Sequence, residues 1–308
     1  MSVQSPCALP QTRDREHWIL RPASCPVCGE TASSFVGYRG GWAHSAGKGI
    51  AVTVVRCPRC GLLYAQPTAF PRDLSHYDED GYFGPYEPAA KISAAAATLA
   101  TAAGLLGGTG RMLDIGCGRG ESLVAARRAG WTARGLDPSP RFAAEGRELF
   151  GVQIECAEIH DAEIDSASVD LVLLSGVLEH VYEPMALLTE AARVLRPGGL
   201  VVVDVPNERS LVQRAAQAYL RTRARDWTLA LSPTFPPYHV IGFSRRALRF
   251  ALSSAGLETL ELSTYALRLD VHATGRAARM AARLELVAQR IGAASGLLAW
   301  ARKPALES

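Results

Sequence analysis

The sequence contains very little lysine and has only a small excess of positive charge. Its 308 residues include 33 Lys or Arg and 30 Asp or Glu, and only Lys48, Lys91 and Lys303 are lysines. A formal net charge of +3 is too small to indicate nucleic acid or an acidic membrane as a partner. We interpret the arginine bias as genome composition rather than as a binding surface.

The sequence also lacks the features of a secreted or membrane-spanning chain. It has no basic and then apolar N-terminal segment followed by a small-residue cleavage site. The most apolar run, residues 92–108, is rich in alanine and shorter than the roughly 20 apolar residues that a membrane span needs. We therefore predict a cytoplasmic protein without a membrane partner, in which residues 92–108 form a helix that faces the core.

Cysteines are few, but four of the seven form two C-x2-C-G pairs: Cys25, Cys28, Cys57 and Cys60. Such pairs in a reducing cytosol favour metal over disulfides, and the following Gly29 and Gly61 permit the positive φ of a tight turn. Two copies with a glycine after each argue against a redox pair. The pattern predicts a structural zinc ion held by four thiolates, with a strand at 50–56 leading into the second pair.

Beyond residue 110, short apolar runs alternate with helical patterns, which predicts an α/β fold with a parallel sheet. The predicted strands are residues 111–115, 132–136, 153–156, 169–174, 200–205, 257–265 and 296–302, the last preferred over 267–271. The predicted organisation is a lead-in (1–20), a zinc-ribbon-like module (21–72) and a large domain (73–308). Helical insertions are predicted in the large domain at about 208–235 and 272–294.

The first predicted core strand ends in an acidic, glycine-rich turn that opens directly into a helix. Asp114, Gly116, Gly118 and Gly120 form the pattern D-x-G-x-G-x-G, in which the glycines let the backbone approach a ligand closely. The second predicted strand ends in Asp137, whose carboxylate can accept both ribose hydroxyls of an adenosine.

A nicotinamide enzyme is the main rival for this turn. Its fingerprint is G-x-G-x-x-G with a pyrophosphate at the helix N-terminus, whereas Glu121 occupies the place of the third glycine here. Negative charge at Asp114 and Glu121 disfavours a pyrophosphate. The same charge suits a ligand with an ammonium and a sulfonium group.

Residues 111–206 resemble the class I methyltransferases that use S-adenosylmethionine (SAM), in the large bacterial family that includes the ubiquinone O-methyltransferases. Besides the glycine turn, the resemblance depends on Leu-Glu-His-Val at 178–181, the run before Gly199, and Val-Pro-Asn at 205–207. It implies a Rossmann-like seven-stranded sheet in the order 3-2-1-4-5-7-6, with strand 7 antiparallel.

The same resemblance implies which residues hold SAM. Asp114, Gly116 and Gly118 are expected at the methionine moiety, with Asp137 at the ribose. The remaining expected contacts are Ser175 and Gly176 over the methionine end and Ala157 and Glu158 at the adenine. Tyr77 and Tyr82 match a lid element that precedes the core in zinc-bearing relatives, or they pack between the two domains.

Two histidines compete as the base that deprotonates a hydroxyl acceptor. His180 directly follows the fourth predicted strand, at the carboxyl edge of the sheet where ligands bind in such folds. His239 belongs to a Pro-Pro-Tyr-His motif that resembles one found in the same relatives between the insertion and the following helix, where it would face the acceptor pocket. Trp227, Phe235 and Tyr238 are predicted to present aromatic surface to the acceptor or to pack in the core.

The leading hypothesis is a SAM-dependent methyltransferase that acts on a hydroxyl oxygen of a small molecule such as a sugar or polyketide. The second cysteine pair, together with the later Tyr77 and Tyr82, is similar to a segment of zinc-bearing nucleotide-sugar C-methyltransferases. C-methylation therefore stays open as an alternative. RNA base methylation and a non-catalytic scaffold are further alternatives, and the thin positive charge argues against nucleic acid as a partner. The sequence leaves the oligomeric state open, a homodimer included.

Overall fold

The protein is described by a computed structural model over residues 17–72, 87–267 and 276–305. Residues 17–72 contain five short strands: β1 (Trp18–Arg21), β2 (Ser34–Arg39), β3 (Val52–Arg56), β4 (Leu63–Ala65) and β5 (Thr68–Pro71). β1 pairs with β5, and β2, β3 and β4 form an antiparallel sheet. β10 (Ile241–Gly242), which is distant in sequence, joins this sheet beside β4.

Helix α1 (Pro88–Leu106) starts with a proline in its first turn and ends at Gly107, where φ is 78°. One face packs into the core through Leu99 and Ala102, which are fully buried, and the opposite face is exposed. The helix has 19 residues, and an 18-residue window within it has a mean hydropathy of 1.4, so length and composition alone would also let it cross a membrane. A single helix of this kind is weak evidence for a membrane span.

The remaining elements alternate between strands and helices. They are β6 (Arg111–Ile115), α2 (Glu121–Arg128), β7 (Thr132–Leu136), α3 (Pro140–Phe150), β8 (Val169–Ser175), a 3-10 helix (Leu178–His180), α4 (Pro184–Val194), β9 (Leu195–Pro206), α5 (Leu211–Thr222), α6 (Arg245–Ser254), β11 (Glu258–Tyr265), α7 (Arg276–Arg290) and β12 (Gly296–Arg302). They form a mixed six-stranded sheet in the order β11-β12-β9-β8-β6-β7. β12 is antiparallel to both neighbours, and the four strands from β9 to β7 are parallel.

The predicted seventh strand at 153–156 does not form. A single parallel bridge between Leu136 and Glu155 is the pairing that the described residues show there. Val152 and Ile154 are buried, which gives the segment its strand-like alternation, but the amide of Ala157 turns back to the Glu155 carbonyl at 3.0 Å. This turn ends the pairing after one residue, so the sheet has six strands.

The strands near the N-terminus share their core with the large sheet. Cys57, Leu62 and Tyr64 belong to the same buried cluster as Val205 and Phe243. A further bridge joins Tyr38 to Trp227. Through these contacts the N-terminal strands pack against residues 227–243. The domain boundary at residue 72 stays a prediction.

Candidate functional site

The glycine-rich turn after β6 is held against the neighbouring strand by backbone hydrogen bonds. The amides of Gly116 and Cys117 both donate to the carbonyl of Leu136, at 2.8 and 3.0 Å. Gly116, Gly118 and Gly120 have φ values of 69°, 55° and 85°, which residues with a Cβ rarely adopt. The turn therefore needs its glycines, and α2 begins directly after it at Glu121.

Asp137 connects this turn to the start of α3. Its carboxylate accepts a hydrogen bond from the Gly118 amide and another from the Ser139 amide, both at 2.9 Å. Burial raises the pKa of Asp137, although these two amides oppose the rise. Each carboxylate oxygen has two lone pairs, so the side chain keeps acceptor capacity for hydroxyls of a ligand.

Asp114 lies beneath the same turn and accepts a hydrogen bond from the Ser122 hydroxyl. Burial, with the nearby charges of Asp137 and Glu121, raises its pKa to about 7. Three acidic side chains thus surround a loop that offers backbone groups at close range. This combination fits a ligand with positive charge, as SAM has, better than a pyrophosphate.

Gly116 also makes the closest contact between the turn and the end of β8. A Cβ at this position would lie 2.6 Å from Cγ2 of Val177, whereas one at Gly118 would meet nothing within 4 Å. Ser175 and Gly176 are exposed beside this contact, and the Gly176 amide donates to the Asp204 carbonyl at 2.9 Å. The structure therefore brings the predicted methionine-binding segments into one place.

We expect Gly116→Ala to weaken S-adenosylhomocysteine binding by about tenfold or more, because it combines a positive φ with a clash at Val177. Gly118→Ala is the matched control, since it has a similar φ and open space around the new methyl group. Isothermal titration calorimetry on both variants checks the difference. Equal affinities would mean that the Val177 contact does not shape the pocket.

The two competing histidines are neighbours in space. The rings of His180 and His239 have their centroids 4.9 Å apart, and Nδ1 of His180 lies 3.3 Å from the Tyr238 carbonyl. Glu179 completes the group: its Oε1 is 3.9 Å from Nε2 of His180, and one ligand atom from each of the three residues lies within 4.8 Å of the others. We call Glu179, His180 and His239 the histidine cluster.

Burial controls the protonation of the histidine cluster. It lowers the pKa of His180 to about 4 and, with the neighbouring His180 imidazole, lowers the pKa of His239 to about 3. Burial, together with the nearby charges of Asp204 and Glu208, raises the pKa of Glu179 to about 8. At neutral pH both imidazoles are uncharged, so they can accept a proton or hold a divalent cation.

Glu179 is a site residue that the sequence analysis did not single out. It is 4% exposed, and its Oε2 has no hydrogen-bond partner among the described residues. Its backbone carbonyl accepts a hydrogen bond from the Val240 amide at 2.8 Å, which ties the histidine cluster together. The Leu-Glu-His-Val motif contained this signal, because an acidic residue directly after a buried strand is placed at the ligand edge of the sheet.

The other predicted contacts lie in different surroundings. Ala157 is half-buried and Glu158 is exposed, and both follow Glu155, whose carbonyl accepts the Asp137 amide at 3.0 Å. They are therefore on the Asp137 side of the turn. Tyr77 and Tyr82 lie outside the described residues.

The three aromatic residues predicted near the acceptor mostly face the N-terminal strands. The Phe235 ring lies 4.8 Å from that of His44, and the Tyr238 ring lies 6.2 Å from that of Trp18. Trp227 is half-buried beneath the guanidinium of Arg225 at 4.6 Å. These contacts match the core-packing alternative for Phe235 and Tyr238.

The four paired cysteines form a separate cluster. Cys25 and Cys60 have sulfur atoms 3.5 Å apart, Cys28 and Cys57 have theirs 3.4 Å apart, and all four lie within 4.8 Å of one another. These distances are too long for disulfides and close to the edge of about 3.8 Å of a tetrahedron with Zn–S bonds of about 2.3 Å. The donor set fits zinc.

The two cysteine turns have the same backbone geometry. The Gly29 amide donates to the Cys25 carbonyl at 2.9 Å, and the Gly61 amide donates to the Cys57 carbonyl at 3.0 Å. Both glycines have positive φ, 70° and 86°. The repeated turn brings two thiols from each pair to one point.

Fold and site together define a class of protein. A mixed sheet with a glycine turn after its first core strand, and an acidic residue closing the second, is a Rossmann-like methyltransferase fold. The chain belongs to the family described as a methyltransferase domain, which matches residues 85–262. The match ends within β11.

Two curated relatives match a limited part of the chain. A ubiquinone biosynthesis O-methyltransferase of Cereibacter sphaeroides is 32% identical over 135 residues, which is 40% of this chain and 55% of that protein. An uncharacterized 37.1 kDa protein in a Streptomyces fradiae transposon is 37% identical over 106 residues, 32% of this chain and 31% of that protein. The chain thus spans about a third to a half of the length of these relatives.

One similar solved structure is that of a SAM dependent methyltransferase from Archaeoglobus fulgidus. It has a TM-score of 0.47 and 19% sequence identity, and the similarity covers 75% of this chain and all of that one.

Proposed function

We propose that the protein transfers a methyl group from SAM to a hydroxyl oxygen of a small molecule such as a sugar or polyketide. The observation that supports this most is that Glu179 and His180 follow β8, close in sequence to the Val177 contact with the glycine turn, and that the His239 ring lies beside His180. A proton acceptor next to the methionine end of the pocket is what an oxygen acceptor requires. The ubiquinone O-methyltransferase relatives also favour oxygen.

The chain's own residues would bind and orient both reactants. Asp137 accepts hydrogen bonds from the ribose, the turn at Gly116 and Gly118 encloses the amino-acid end, and Ser175 and Gly176 lie at its open side. When bound, SAM supplies a methyl group on a positively charged sulfur, and the acceptor oxygen must lie in line with that bond. Fixing this alignment is worth on the order of 7–11 kcal/mol of the barrier.

His239, with His180 as the competing assignment, takes the proton from the acceptor hydroxyl in this proposal. Because burial lowers the pKa of both rings to about 3 and about 4, the base form persists at every pH above that range. A water-exposed histidine, with a pKa of about 6.5, would instead lose the base form below neutrality.

We expect His239→Ala or His180→Ala to lower kcat by about 10²- to 10⁴-fold while SAM affinity is unchanged. We also expect no loss of kcat/KM through histidine protonation between pH 8 and pH 6, because neither imidazole is protonated in that interval. Any slope there would come from Asp114 or Glu179, whose pKa values are about 7 and about 8, and would persist in the histidine variants. Steady-state kinetics and SAM calorimetry measure both. Full turnover in both variants would remove the histidine base from the proposal, and activation of the parent by added Mn²⁺ would replace it with a metal-dependent scheme.

The four-cysteine cluster is proposed to hold a structural zinc ion. All four positions supply sulfur, so no coordination position remains for a catalytic water, and the ion would stabilise the fold without acting in methyl transfer.

A further inference from the structure

Four arginines line one cavity of about 310 Å³ beside the second cysteine turn: Arg56, Arg209, Arg245 and Arg246. They come from β3, from the segment after β9 and from the first turn of α6. None of the described residues that line the cavity is acidic. Its volume is at the lower end of the range of small-molecule sites, about 300–1,000 Å³.

Arg56 is the arginine whose environment most requires a ligand. Its Nε is buried and has no hydrogen-bond partner among the described residues. The guanidinium groups of Arg209, Arg245 and Arg246 line the same cavity. A bound anion would supply the missing acceptor and offset the repulsion between the guanidinium groups.

The N-terminus of α6 adds backbone donors to the same cavity. Ser244 caps this helix of ten residues, and its hydroxyl accepts the Ala247 amide at 3.2 Å. The amides of Arg245 and Arg246 belong to the first turn, where no intrahelical acceptor exists. Backbone N–H groups and the helix dipole both favour an anion here.

The four arginines carry more positive charge than is needed to neutralise a zinc–thiolate cluster. Cys57 also lines the cavity, and a zinc ion with four thiolates carries a net charge of about −2. Arg246 is directed toward the cysteine turn, where Nη2 donates to the Arg59 carbonyl. The four arginines still exceed the cluster by about two positive charges.

We infer that this cavity, the arginine pocket, binds the phosphate or diphosphate group of a phosphorylated acceptor. The pocket lies within reach of the transfer site. Ser244, which lines the pocket, is five residues after His239, and Arg209 is five residues after Asp204, whose carbonyl accepts the Gly176 amide. Each of these segments spans at most about 18 Å when extended. That the bound molecule is the acceptor rests on the proposed function; that the pocket binds a phosphate group does not.

The test is calorimetric titration of the zinc-containing full chain with inorganic pyrophosphate, without SAM. We expect saturable binding of one pyrophosphate per chain, weakened about tenfold or more in Arg209→Gln and in Arg245→Gln. Both side chains are exposed, so the fold should tolerate the changes. Arg249→Gln is the matched control, because Arg249 is exposed on the same helix and does not line the cavity.

Three results would overturn the inference: no saturable binding to the parent, an equal loss in Arg249→Gln, or tighter binding of an RNA oligonucleotide that displaces pyrophosphate. Failure of the proposed function is distinguishable, since S-adenosylhomocysteine binding is titrated separately on the same samples. Pyrophosphate binding without it would support the arginine pocket and reject the methyl-transfer assignment.

Discussion

The Cys57→Ser variant is expected to lose its zinc and to unfold at a much lower temperature than the parent. Cys57 is completely buried, and it belongs to the core cluster that also contains Tyr64 of β4 and Val205 of the large sheet. Zinc at four-cysteine sites contributes on the order of 10 kcal/mol, which is comparable to the whole stability of a domain, about 5–15 kcal/mol. Zinc analysis and thermal unfolding followed by circular dichroism measure the effect.

Cys156→Ser is the control for this experiment. Cys156 is exposed and does not belong to the four-cysteine cluster, so the variant should keep one zinc per chain and the parent's midpoint. Parent-like stability of Cys57→Ser, or a parent protein that contains no zinc, would contradict the structural-zinc proposal. Since β4 pairs with β10, loss of zinc should also disturb residues 241–242, next to the histidine cluster.

The parts of the fold that could be predicted are those encoded by local patterns. Residues 200–203 are all buried, and a continuous apolar run of this kind indicates a central parallel strand. The segment 296–302 has the same apolar character, and its bounds as β12 agree with the prediction. The error at 153–156 had a local cause too, because Val152 and Ile154 alternate as in a strand while pairing stops after Glu155.

The site divides in the same way. The positions of Gly116 and Asp137 were predictable because each residue directly follows a strand, and the sheet fixes where that strand ends. His180 and His239 were treated as competitors, although their rings are neighbours across 59 residues of sequence. No local pattern encodes that proximity, which depends on the hydrogen bond from Val240 to Glu179.

The arginine pocket shows the same limit. From the sequence, the arginine bias could be interpreted only as composition, because Arg56 and Arg209 are 153 positions apart. The pairing of β10 with β4 brings the strand containing Arg56 next to the start of α6. Only folding brings these dispersed arginines together in one cavity whose charged side chains are all positive.

Asp137→Ala is expected to reduce affinity for S-adenosylhomocysteine by about 100-fold or more. The carboxylate has two roles: it holds the Gly118 and Ser139 amides at 2.9 Å, and it is the proposed acceptor for the ribose hydroxyls. Hydrogen bonds to a charged group contribute about 1.5–3 kcal/mol each, so losing this carboxylate corresponds to a loss of that size. Because burial raises the pKa of Asp137, affinity should begin to fall on acidification above the usual range for an aspartate.

Asp137→Asn separates the two roles. Its amide oxygen can still accept one of the two backbone amides, but its NH₂ group cannot accept the other or a ribose hydroxyl, so its affinity should lie between those of the parent and Asp137→Ala. Asp161→Asn, an exposed change, should bind like the parent. If Asp137→Ala kept the parent's affinity with an unchanged circular dichroism spectrum, the ribose would have to bind elsewhere. The glycine turn alone would not then define the ligand as an adenosine, because its backbone contacts only the amino-acid end.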